Sequence, residues 1–212
     1  MKLTRFVLCA ACAMVPVGTF AGPLFDNLGD ANVGNRTPFV FHQYQSFSTG
    51  VSSFLFDDVK LSLDGDGSAL TSFSIGLYAD SSTTPGALIQ DLGTLLDNAI
   101  PSGAFTVVDY SFAGIALLAN TRYWIGMSSA NQSNVLWAIE DPLNNPGDIG
   151  VAGEYVSDSG VVSLSTSPAT QEAFKMQVNG TNIVSGAPEP GTIALMLTGL
   201  LAMGLRLRLR RT

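Results

Sequence analysis

The densest group of hard oxygen ligands in the chain is Asp64-Gly65-Asp66-Gly67-Ser68. Alternating carboxylates on a glycine-rich turn suit calcium, which takes oxygen ligands in a loose geometry. The segment is not an EF-hand loop, because Ala69 stands at the glycine position and Ile75 at the bidentate glutamate position. Asp57 and Asp58 add ligands only if the fold brings them near. Asp64 and Asp66 are therefore the candidate metal ligands, with calcium the one candidate cofactor. A solvated hairpin turn, which Asp-Gly also favours, is the competing reading.

Catalytic chemistry has less to work with. His42 is the single histidine, so a multi-histidine metal site is excluded. No Gly-x-Ser-x-Gly elbow supplies a nucleophile for it to activate. A glycosidase needs two carboxylates facing each other across a cleft. Glu140, Asp141, Glu154 and Glu172 offer such pairs, but so many acids make coincidence easy. The expectation is that the protein is not an enzyme. Sugar binding would draw on aromatic rings beside polar groups, and Tyr44, Tyr78, Tyr110, Trp124, Trp137 and Tyr155 are the candidates.

The elements that position these residues follow a period of two. Val59, Leu61 and Leu63 alternate with Lys60, Ser62 and Asp64. Phe73, Ile75 and Leu77 alternate with Ser74, Gly76 and Tyr78, and Phe174, Met176 and Val178 with Lys175, Gln177 and Asn179. Each is the signature of a strand with one buried and one wet face. Further strands are predicted near 39–48, 87–95, 104–112, 121–128, 134–140 and 160–165. Glycine, proline, asparagine and aspartate clusters separate them, as at Thr84-Pro85-Gly86 and Asp158-Ser159-Gly160. Residues 91–98 are expected to hold one short helical turn. The fold class is all-β, an antiparallel β-sandwich of jelly-roll type. Its core candidates include Phe47, Phe56, Phe73, Trp124, Trp137 and Phe174.

The two ends have a different character. Lys2 and Arg5 precede an apolar run from Phe6 to Val17, the layout of a secretory signal peptide. Cleavage is expected between Ala21 and Gly22. Cys9 and Cys12, the only cysteines, lie inside this segment, so the cleaved chain has no disulfide and no thiol chemistry. At the other end Pro188-Glu189-Pro190 leads into an apolar run closed by Arg206, Arg208, Arg210 and Arg211. The run is short for a bilayer span, and the arginines would hold the end in the cytoplasm as a stop.

That order of Pro-Glu-Pro, short hydrophobic helix and arginine cluster resembles the PEP-CTERM sorting signal of exopolysaccharide-producing Gram-negative bacteria. The resemblance covers 188–212. It implies processing by exosortase, a membrane-embedded transpeptidase-like enzyme. A second resemblance rests on phrase order. Gln45-Ser46-Phe47-Ser48-Thr49-Gly50, Val59-Lys60-Leu61-Ser62-Leu63, Ser74-Ile75-Gly76-Leu77-Tyr78-Ala79-Asp80 and Asn120-Thr121-Arg122-Tyr123-Trp124-Ile125 follow one another as in the choice-of-anchor R domain. That bacterial surface module brings no catalytic site to transfer.

The expected organisation is a signal peptide over 1–21, a β-sandwich over 22–179, a tether over 180–187 and the sorting signal over 188–212. The 212 residues carry a formal charge of −7, but this averages unlike regions. Between the two ends only Arg36, Lys60, Arg122 and Lys175 face sixteen of the seventeen carboxylates, which leaves the domain near −12. Such a surface argues against nucleic acid as a partner. The expected partners are signal peptidase and exosortase during export, the membrane transiently through the C-terminal helix, and exopolysaccharide. The expected destination is the cell surface or the extracellular matrix, in a structural or adhesive role. The alternatives are a calcium-assisted carbohydrate-binding module and, behind it, a secreted hydrolase.

Overall fold

The computed structural model of the chain describes residues 21–38, 42–129, 132–143, 148–165 and 172–183. Among the described residues, thirteen strands run in order: β1 (Ala21–Asp26), β2 (Gly34–Arg36), β3 (His42–Ser48), β4 (Phe54–Asp64), β5 (Ser72–Asp80), β6 (Pro85–Leu96), β7 (Thr106–Leu117), β8 (Arg122–Ser129), β9 (Leu136–Glu140), β10 (Tyr155–Asp158), β11 (Val161–Leu164), β12 (Ala173–Phe174) and β13 (Met176–Asn182). One 3-10 turn, Asp97–Ala99, follows β6. No helix among the described residues is long and apolar enough to cross a membrane. Residues 1–20 of the expected signal peptide and the whole of 184–212 lie outside the described residues.

The strands form two antiparallel sheets. The first has seven strands in the order β1-β13-β4-β9-β12, with β7 on β4 and β2 on β9. The second has six, in the order β11-β10-β3-β8-β5-β6. Their inner faces share one core. Phe56, Val59, Leu61, Trp137 and Val178 come from the first sheet, and Phe47, Phe73, Ile75, Ile125 and Met127 from the second. This is a β-sandwich, as expected from the alternation. Within β4 a bulge between Phe56 and Asp58 resets the phase, so both Phe56 and Val59 point inward although three residues apart. Trp137 stacks on Phe174 at 4.6 Å, and its indole nitrogen donates to the Lys175 carbonyl at 2.9 Å.

Several elements differ from the expectation. Residues 91–96 continue β6, and the helical turn begins only at Asp97. Gly180, Thr181 and Asn182, expected in the tether, are the last residues of β13. Strand β1 carries Gly22-Pro23, which reads as a breaker. It is tolerated because β1 is an edge strand and its register shifts between Pro23 and Phe25. The turn joining β5 to β6 closes at Ser81–Thr84, one step before Pro85-Gly86, with mutual backbone hydrogen bonds of 2.8 and 3.2 Å.

The first and last described strands lie side by side. Ala21 pairs with Thr181 and Gly22 with Gly180. The chain therefore enters and leaves the sandwich at one end of one sheet.

Candidate functional site

The Asp64-Gly65-Asp66 segment connects β4 in the first sheet to β5 in the second, so it is an arch between sheets rather than a hairpin. Its carboxylates accept hydrogen bonds within the protein. Asp64 Oδ1 accepts from the Gly103 amide at 2.8 Å. Asp66 Oδ1 accepts from the Ser68 amide at 2.7 Å, and Oδ2 from Asn134 Nδ2 at 3.1 Å. Gly65 is needed here for close approach, since a β-carbon would collide with the Ile100 carbonyl and sit 2.9 Å from that of Asp97. Asp64 and Asp66 are thus tied into loop hydrogen bonds.

Among the described residues, the carboxylates that converge are three others. Oxygens of Asp30, Glu140 and Asp148 all lie within 4.8 Å of one another. Asp30 follows β1, Glu140 ends β9 and Asp148 precedes the bridge that joins Ile149 to Asp26. Glu140 is fully buried and accepts from Asn27 Nδ2 at 2.7 Å. Asn27 is itself fixed, accepting from the Met176 amide at 2.7 Å. Lys175 Nζ donates to the Asp30 carbonyl. Asp148 Oδ2 is buried with no donor. Burial, the contact with Asp30 and the charge of Glu140 together push the Asp148 carboxyl up to about 8. Acid oxygens packed this way need a proton or a cation between them. A calcium ion has ligand distances of about 2.3–2.6 Å, so oxygens separated by up to twice that distance can share one ion. The donor set fits calcium. Sequence reasoning missed it because the three residues are scattered, and only the Glu140 candidacy was visible.

The proposed acid pairs are separated by role. Glu154, almost fully buried, takes Ser46 Oγ and Arg122 Nε, the latter at 3.1 Å. Glu172 pairs with Arg36, which also reaches Asp158 at 3.1 Å and so links β2 in one sheet to β10 in the other. Burial raises Glu172 against the opposing pull of Arg36.

The six candidate aromatics divide by face. Trp137 and Tyr110 join the central core. Strand alternation puts Tyr44, Trp124 and Tyr78 on the outer face of the second sheet, with Tyr155 at its margin. Trp124 is fully buried yet outside the central core, and its indole nitrogen donates to Asp80 Oδ1 at 2.8 Å. Tyr44 pairs in register with Gly126, and Gly126 with Gly76. Tyr44 and Tyr78 meet edge to face at 5.2 Å, with His42 6.1 Å beyond Tyr44. Burial, then the neighbouring Tyr78, pushes the Tyr44 phenol up to about 12. Arg122 lies 4.6 Å over the Tyr155 ring.

The expected cleavage point, Ala21-Gly22, lies at the start of β1. Pro188, Glu189, Pro190, Arg206, Arg208, Arg210 and Arg211 lie outside the described residues. No protein-family model and no curated protein matches this chain.

Proposed function

We propose that the chain is an exported protein of the Gram-negative cell surface, structural or adhesive in an extracellular polysaccharide matrix and without enzymatic activity. In this reading signal peptidase cuts after Ala21. The hydrophobic helix before Arg206 pauses the chain in the membrane, and an exosortase-type enzyme processes it near Pro188-Glu189-Pro190. The jelly-roll-like sandwich is the cargo. The observation that carries the reading is the pairing of β1 with β13, which after that cut begins with Gly22 against Gly180. A signal before β1 and a sorting tail after β13 then attach at the same end of a finished sheet, so removing either segment costs the sandwich no internal strand. The absence of cysteine from the cleaved chain agrees with a fold held by its core alone.

The test is the mass and location of the chain in a host that has an exosortase. Replacing Pro188, Glu189 and Pro190 with alanine should leave a longer, membrane-retained product, while the parent appears outside the cell without its tail. A full-length tail on both products sinks the processing claim.

Calcium is a second reading, favoured by the donorless Oδ2 of Asp148 beside Asp30 and Glu140. The ion would lock the loop before β10 to the loop after β1, stabilising the fold rather than acting on a substrate. Melting in calcium against chelator tests it, because a ligand of the folded state alone raises the melting temperature. Equal values at pH 8 reject it.

A further inference from the structure

We infer that the outer face of the second sheet binds a neutral hexopyranose polysaccharide, with Tyr44 and Tyr78 as the stacking rings. The inference rests on the reading that the chain works in a polysaccharide matrix, and it names the chemistry of the partner.

The floor of the face is unusual. Gly126 and Gly76 stand directly opposite each other on β8 and β5. Glycine inside a strand costs roughly 0.5–1 kcal/mol and often marks a place where another group must approach closely. Here the approaching groups are the two rings and the exposed Leu88 side chain. A β-carbon on Gly126 would lie 2.7 Å from Tyr78 Cε2 and closer still to the Tyr44 ring. One on Gly76 would lie 2.7 Å from Leu88 Cδ1 and 2.8 Å from Tyr78 Cε2. The two rings therefore pack against the sheet over these glycines, half-buried and edge to face with each other at 88°. Their orientation is set before any ligand arrives, which lowers the cost of binding.

The rim is polar. His42 and Asp91 are exposed, with Asp91 in register with Gly76, and Ser74 and Thr94 join hydroxyls at 2.7 Å. A pyranose ring has an apolar C–H face and a girdle of hydroxyls. Flat aromatic rings beside carboxylate, hydroxyl and imidazole groups complement both parts. Charge selects the class of polymer. Arg122 is the one cation on this face among the described residues, and Glu154 holds it. An anionic chain would meet Asp80 and Asp91 with no free counter-charge, so the complement is neutral.

The test is native affinity electrophoresis of the full chain in gels containing dextran, galactomannan or hydroxyethylcellulose, with alginate as the anionic comparison. At least one neutral polymer should retard the chain, and alginate should not. Tyr44→Ala and Tyr78→Ala should each weaken retardation by about tenfold, the loss typical of a buried aromatic anchor. Tyr44→Phe, which keeps the ring, should hold most of it. A second measurement needs no variant: the retarding polymer should perturb the tyrosine absorbance of the parent chain. No retardation by any of the three neutral polymers overturns the inference, as does retardation that survives both alanine variants, or an unperturbed spectrum. A dimer in sedimentation that Tyr44→Ala dissociates also overturns it, since the face is then an interface between copies. Retention by polymer without export removes the cellular reading and leaves the site standing; export without retention does the reverse.

Discussion

The ring of Tyr44 lies across Gly126 on the neighbouring strand, in the space that a β-carbon would fill. This contact ties the backbone composition of β8 to the surface the sheet presents. Gly126 has ordinary strand geometry, so its role is space and not conformational freedom.

Gly126→Ala should lift both tyrosines off the sheet. The ring of Tyr44 is half-exposed and can swing outward, which keeps the stability cost to about 1–3 kcal/mol. Polymer retardation should fall as far as in Tyr44→Ala. Urea unfolding and affinity electrophoresis on the same sample separate the two effects.

The β5–β6 turn carries positive φ at both central residues, 53° at Ser82 and 72° at Thr83. That pattern belongs to a type I′ hairpin turn, where Asn-Gly is preferred and a β-branched residue is strained. Changing Ser82→Asn and Thr83→Gly together should stabilise the chain by about 1–2 kcal/mol. A higher urea midpoint with an unchanged slope is the expected result.

Asp97 is completely buried and accepts from Thr71 Oγ1 at 2.7 Å, Ser133 Oγ at 2.8 Å and the Asn134 amide at 3.1 Å. It joins the segment after β6 to the approach to β9. Asp97→Ala strands these donors inside the protein and should destabilise it by about 3 kcal/mol. Denaturant unfolding reads the loss directly, and Asp97→Asn should recover part of it.

Asp148 holds its proton in the fold up to about pH 8, whereas an unfolded aspartate releases it near 4 (about 3.9). Between these values the folded chain binds more protons than the unfolded one, so stability falls as pH rises. The contribution is complete below about pH 4 and is lost as the pH passes about 8. In chelator, the melting temperature of the parent should drop across pH 5–9. Asp148→Asn should flatten that slope and melt roughly 2–4 °C higher at pH 9. A parent curve that is flat in the same range refutes the shared-proton arrangement.

How much was legible depends on the range of the cause. Phe73, Ile75 and Leu77 declared their strand because side chains alternate within a few residues, and all three are buried. Trp124, also a core candidate, is fully buried as well, but on the outer face of the second sheet. Alternation says that neighbours point oppositely, but not that the outer face can bury a large ring too. Asp64 and Asp66 stand out as candidate ligands because they are two apart on a glycine-rich turn. Their hydrogen bonds to Gly103 and Asn134 come from segments that no local pattern brings near.

By itself the sequence determined the strand-rich class, the basic, apolar character of the two ends and the acidity of what lies between. Each of these is set by composition or by periods of a few residues. The tertiary structure alone decided that Asp30, Glu140 and Asp148 meet, that β1 closes on β13 and that two glycines on separate strands make room for Tyr44 and Tyr78. Those relationships join residues from strands and loops far apart in sequence, and strand order and register, not local preference, fix which of them become neighbours.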